Sequence, residues 1–151
     1  MQYRLICCIL ISFLIFACSN TIKPKLTAVE LHKFCYSYIY GRNGFSQNYK
    51  EAFKWCSLAA ESNQLSSTTL LAELYTLGNG VDKDLRKAGT LYEQAAIQGH
   101  PHAQLMVFLV YNFHLKNEST PSQKLLGKKF LELSKERGYP KAIEVYKKFY
   151  G

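Results

Sequence analysis

Laid over itself at an offset of 36 residues, this 151-residue chain matches its own pattern. Gly44 falls on Gly80, Phe45 on Val81, Asn48 on Asp84 and Ala52 on Ala88. Further along, Trp55 meets Leu91, Cys56 meets Tyr92, Ala59 and Ala60 meet Ala95 and Ala96, and Asn63 meets Gly99. Self-similarity at such a period restricts a chain to stacked arrays, because one unit cannot bury its apolar face without a neighbour. Each match has a mechanical reading. Glycine stands where a loop needs positive φ, Asn48 and Asp84 are good helix N-caps, and alanine lets a neighbouring helix come close. A third copy follows at an offset of 39, where Gly99 meets Gly138 and Ala103 meets Ala142. Upstream, Phe34-Cys35-x-x-Tyr38, Leu71-Ala72-x-x-Tyr75 and Val107-Phe108-x-x-Tyr111 repeat one helix-face spacing.

This pattern predicts helices over residues 26–40, 48–62, 67–77, 84–98, 101–114, 121–137 and 140–150. Pro140 suits a first helical position. Ala142, Tyr146 and Tyr150 copy the spacing of the first helix of each pair, so the chain stops on half a fourth repeat. Lys141, Glu144, Lys147 and Lys148 keep the other face of that helix polar, as a terminal cap requires.

The run Leu71-Ala72-x-x-Tyr75-x-x-Gly78-x-Gly80-Val81-x-x-Asp84-x-x-x-Ala88-x-x-Leu91-Tyr92-x-x-Ala95-Ala96-x-x-Gly99 resembles a nearly complete Sel-one-like repeat, a relative of the tetratricopeptide repeat. The first copy has an extra loop residue within Gly41–Gly44. The third has Lys116–Pro121 in place of the Gly-x-Gly-Val loop and Ser134-Lys135 in place of the alanine pair. The resemblance covers residues 26–151 and implies an all-α fold, a right-handed α-solenoid of about three and a half helix-turn-helix repeats. In it Gly44, Ala52, Ala59, Ala60, Gly78, Gly80, Asp84, Ala88, Tyr92, Ala95, Ala96 and Gly99 take structural roles. It further implies an adaptor or scaffold that binds another macromolecule, most readily a protein.

Residues 1–17 read as an export signal: a short start carrying Arg4, then thirteen uncharged residues from Leu5 to Ala17, too short for a good transmembrane span. Ile15-Phe16-Ala17-Cys18 resembles the bacterial lipobox, which implies cleavage before Cys18 and lipidation of its thiol. Residues 18–25 then form a polar tether containing Pro24. Ser19, rather than Asp, makes the outer membrane, facing the periplasm, the expected destination.

The chain has five cysteines. Cys7 and Cys8 leave with the signal and Cys18 takes the lipid, so Cys35 and Cys56 remain in an oxidising compartment. The family pattern puts Cys35 at a small position of the first helix and Cys56 at the position of Tyr92. A hairpin folded about residue 45 sets the two nearly opposite, which predicts a disulfide; the alternative is two buried thiols packed as small apolar groups.

Little else carries chemistry. The pair of His100 and His102 flanking Pro101 lacks further metal ligands and reads as a surface turn between helices. Glu51, Glu61, Glu73 and Glu93 are expected on solvent sides of different helices, where no acid–base pair forms. No hydrolase elbow, phosphate loop or Cys-x-x-Cys occurs, so no enzyme, cofactor, metal or small-molecule substrate is expected. Relatives in a cysteine-rich branch have been proposed to act on β-lactams, but no nucleophile with its base is present here. From Lys116 to Gly151 nine basic residues face four acidic ones, and Lys124 and Lys128 are candidates for contact with an anionic partner. The charge is not read as a nucleic-acid signal, given the expected compartment. The expectation is a non-catalytic envelope lipoprotein that binds a protein. An immunity lipoprotein that neutralises a toxic enzyme in the periplasm is the alternative, and a β-lactam-related hydrolase a remoter one.

Overall fold

The computed structural model describes residues 26–151. The signal peptide, the tether and the lipidation site at Cys18 lie outside the described residues. Among the described residues seven α-helices follow one another: α1 (Ala28–Tyr40), α2 (Tyr49–Glu61), α3 (Leu65–Leu77), α4 (Leu85–Ile97), α5 (Pro101–Leu109), α6 (Pro121–Glu136) and α7 (Pro140–Tyr150). A π-helical turn, Val110–His114, extends α5.

Local chemistry sets the ends. Thr27 and Thr120 each form a capping box, with Glu30 and Gln123 respectively. Asn48 accepts from the backbone N–H groups of Lys50 and Glu51, and Asp84 from that of Lys87. Gly41 and Gly78 end α1 and α3 in the left-handed conformation. Helix α3 starts at Leu65 rather than at residue 67, because the Gln64 side chain supplies a cap by accepting from Ser66 N–H.

Successive helices pack as antiparallel pairs, and each pair packs on the next. Helix α1 also touches α3, and α5 touches α7, which sets the odd-numbered helices side by side as an inner row. Among the described residues the result is an α-solenoid of three helix pairs followed by α7. Its main core is built from the repeat positions: Ala52, Ala59, Ala88, Tyr92 and Ala95 have no exposed surface and Ala96 almost none. Removing these side chains from water supplies the main favourable term. Ala60 is only half-buried, whereas its counterpart Ala96 is covered by α5, where Gln104 donates to the Ala96 carbonyl. A second, smaller cluster of Leu105, Phe108, Leu131 and Ala142 closes the stack between α5, α6 and α7.

Two departures mark the third repeat. The predicted helix 101–114 is not α-helical throughout: Leu115 N–H bonds the Val110 carbonyl at 2.7 Å, an i to i+5 closure. The wider turn brings Tyr111 and Val110 onto Gly89 of α4, where a Cβ would meet the Tyr111 ring at 3.0 Å and a Val110 methyl at 3.3 Å. Ser134, standing where other repeats have alanine, is fully buried and donates to the Pro101 carbonyl at 2.8 Å. A serine is thus accommodated at a close helix contact because its hydroxyl finds an acceptor. Among the described residues no helix is long and apolar enough to cross a membrane.

Candidate functional site

The inner row carries an unexpected polar ladder. His32 on α1 and Ser67 on α3 share a hydrogen bond (Nδ1 to Oγ, 2.8 Å). Glu73 on α3 reaches His102 on α5 (Oε1 to Nε2, 2.8 Å). The other ring nitrogen of His102 meets the hydroxyl of Tyr139, the N-cap residue of α7, at 3.1 Å. Each junction between neighbouring inner helices is therefore bridged through a histidine. A carboxylate only accepts, so Nε2 of His102 carries a proton; in the neutral ring Nδ1 then accepts from the Tyr139 O–H. One imidazole ties three helices.

Next to the ladder lies an aromatic stripe. His32, Tyr36 and Tyr40 succeed one another at four-residue steps on α1, with ring centroids 6.3 Å and 4.5 Å apart. Tyr36 is 43% and Tyr40 47% exposed. Tyr40 also borders a cavity of about 180 Å³ between α1 and α3, whose wall includes Tyr49, Leu70, Glu73 and Leu77. Burial, then the Glu73 charge, raises the Tyr40 phenol above its ordinary range, so it stays a neutral donor and acceptor. Burial holds His32 below its ordinary value. His100 is also lowered, by burial and then by His102, against a smaller opposing pull from Glu73.

This arrangement corrects two sequence expectations. His100 and His102 are half-buried rather than a free surface turn: His100 caps α5 by accepting from Ala103 N–H, and His102 holds the ladder. Three of the four glutamates are engaged instead of facing only solvent. Glu73 binds His102, Glu93 accepts from the Tyr111 hydroxyl at 2.9 Å, and Glu51 accepts from the Trp55 indole N–H at 3.2 Å; Glu61 alone is exposed. The missed signal lies in separation. The ladder partners stand 35, 29 and 37 residues apart, each near one repeat length.

The other sequence candidates fall elsewhere. Cys35 and Cys56 are fully buried and joined by a disulfide between α1 and α2, with Cα atoms 4.7 Å apart. At the equivalent place in the second repeat, Tyr92 reaches across the pair towards Thr76, which donates to its hydroxyl at 3.5 Å. Gly80 abuts the first turn of α2, where a Cβ would overlap the Tyr49 carbonyl and stand 2.8 Å from Lys50 N. Gly44 has positive φ but, among the described residues, nothing within 4 Å of an added Cβ. At Gly99 the Arg137 guanidinium bonds the carbonyl from the following repeat. Lys124 and Lys128 are half-buried on α6, the latter with its ammonium 4.7 Å from the Tyr150 ring centroid. Among the described residues no three His, Cys, Asp or Glu side chains converge as a metal site.

Residues 32–64 and 66–100 each match the Sel1 repeat family model. Those two segments are Sel1 repeats. The two matched segments cover most of the α1–α2 and α3–α4 pairs, and the Sel1 pattern fades where the third pair loses its glycine loop. The crystal structure of a Sel1 repeat protein from Oxalobacter formigenes superposes with a TM-score of 0.68 at 28% identity, over 81% of this chain and 89% of that one. A protective antigen of uropathogenic Escherichia coli strains, which displays an SLR fold, superposes with a TM-score of 0.69 at 23% identity, over 77% of this chain and 24% of that one. No curated protein matches this chain significantly.

Proposed function

We propose that this Sel1-repeat chain is a non-catalytic lipoprotein of the bacterial envelope that binds a protein partner on its inner helix row, as an adaptor or scaffold. The single observation that carries the reading is the pair of exposed rings in tilted contact, Tyr36 and Tyr40, lying along that row beside the Glu73 cavity. Tyrosine supplies a large rigid contact area with a polar tip, the material of interface anchors. The ladder beneath fixes the spacing of α1, α3 and α5, so the surface is organised before a partner arrives and less entropy is lost on binding. Sel1 repeats generally mediate protein–protein interaction, which supports the same class of role.

Glu73, His102 and Tyr139 have the order of a proton relay, but they are arranged as a tie. The imidazole is saturated by two protein groups, and a phenol is a weak nucleophile unless ionised. The lipoprotein part rests on the apolar run Leu5–Ala17 followed by Cys18.

The test is crosslinking in cells, followed by recovery from the membrane fraction and mass spectrometry. One dominant protein partner is expected with the wild type, and its loss with Tyr36→Ala/Tyr40→Ala. A secreted toxic enzyme as that partner would make the role immunity; an envelope-assembly protein would make it a scaffold. Retention of the partner by the double variant would remove the inner row from the binding site. Cys18→Ser should abolish incorporation of a fatty-acid analogue, and labelling of that variant would refute the anchor.

A further inference from the structure

Charge is divided sharply along the solenoid. Residues 26–115 hold seven basic and seven acidic side chains, whereas residues 116–151 hold nine and four. The net positive charge of the described residues therefore sits wholly at the α6–α7 end. Among the described residues, none of those nine basic groups forms an ion pair; the pairs present are Lys54–Glu51, Arg86–Glu118 and His102–Glu73. Several ammonium groups lie over aromatic rings instead: Lys128 over Tyr150, Lys135 over Tyr146 and Lys148 over Phe149.

The same end exposes apolar surface. Phe113, in the π-helical turn, meets Phe149 with ring centroids 5.0 Å apart. Phe113 is 46%, Phe149 43% and Tyr150 42% exposed. Leu125, one helical turn before Lys128, is 69% exposed. Rings and lysines thus form one patch over the π-helical turn, α6 and α7.

We infer that this patch is a docking surface for an anionic lipid bilayer. Aromatic rings partition into the headgroup boundary, while lysine stems lie along them and keep their charges in the polar layer. Basic residues near such a surface add attraction to anionic headgroups. A second copy of the chain is disfavoured as occupant, because it would set one unneutralised positive field against another. The inference stands apart from whatever the inner row binds.

The test uses the full chain in vesicles, with Trp55→Phe to remove the native indole and Phe149→Trp as the reporter. Vesicles of phosphatidylcholine are compared with vesicles that also contain phosphatidylglycerol. The N-terminal segment is common to both, so only the reporter responds to the patch. The expected result is a blue-shifted emission quenched by brominated lipid chains in the anionic vesicles alone, reversed by salt and lost in Lys128→Glu/Lys148→Glu. Leu125→Trp is the second reporter, at a position exposed enough that folding is unaffected, and the same response is expected of it. Equal emission in both vesicle types overturns the inference. So does a shift caused by soluble polyglutamate with none on anionic vesicles, which would assign the patch to an acidic protein.

Discussion

Gly80 is pressed against Tyr49: the loop between α3 and α4 lies on the first turn of α2, with no room for a Cβ before the Tyr49 carbonyl. Its sequence counterpart Gly44 shares the positive φ but has open space around it among the described residues. The two glycines thus separate a conformational requirement from a packing one.

Gly44→Ala should therefore cost about 1–2 kcal/mol, the penalty of the left-handed conformation. Gly80→Ala should cost a further ~1–3 kcal/mol for displaced backbone contacts. Urea unfolding of both variants measures the gap. Equal losses would show that the close approach at Tyr49 relaxes freely.

The Cys35–Cys56 bond closes a short loop, with a sequence separation of 21 residues. Loop-closure entropy gives a stabilisation of about 3 kcal/mol. Cys35→Ala/Cys56→Ala should lower the unfolding free energy by that order. Alkylation of the non-reduced, processed protein should find neither cysteine free. Two labelled cysteines in exported material would contradict the bond.

Stability should depend on pH through two half-buried histidines. His32 and His100 have folded-state values below the ordinary 6.5, with burial the first cause at both. A depressed value means that the unfolded chain binds protons more readily. The stabilisation is full above about pH 6.5 and is lost as pH falls through the folded-state values. His32→Gln keeps a hydrogen-bonding side chain opposite Ser67 and removes one titrating group, so it should flatten the acid limb. Thermal midpoints between neutral and mildly acidic pH decide this; an unchanged slope counts against His32 as a contributor.

Loss of the ladder should loosen the inner row. Glu73→Leu leaves His102 with one partner fewer in a half-buried place, for an expected cost of about 1–3 kcal/mol. Hydrogen exchange should quicken in α5 and the first turn of α7, while α1 and α2 change less. Uniform quickening along the chain would mean that the contact is not local.

The repeat period, the Asn48 and Asp84 caps and the alanine positions were all legible because each leaves its mark within one helix or one loop. The ladder was not. His32, Glu73, His102 and Tyr139 are solitary polar residues whose meaning appears only when helices one repeat apart are set side by side. The π-helical turn at Val110–His114 was hidden for a different reason. A shift from i+4 to i+5 bonding has no signature residue, and the apolar spacing through Val107, Phe108 and Tyr111 reads equally well as a continuous α-helix. The alanine-to-serine change at residue 134 was visible as a departure, but the Pro101 carbonyl that accommodates it was not.

The cystine also biases the order of assembly. Among the described residues the covalent link ties the first hairpin alone, using partners 21 residues apart. Under oxidising conditions that hairpin can close as soon as it emerges, before any later repeat exists to help it. Each following helix pair then needs contact only with the pair before it, as in a linear polymer growing from a primed end. Seeded in this way, the stack is expected to zip from its amino-terminal repeat towards α7.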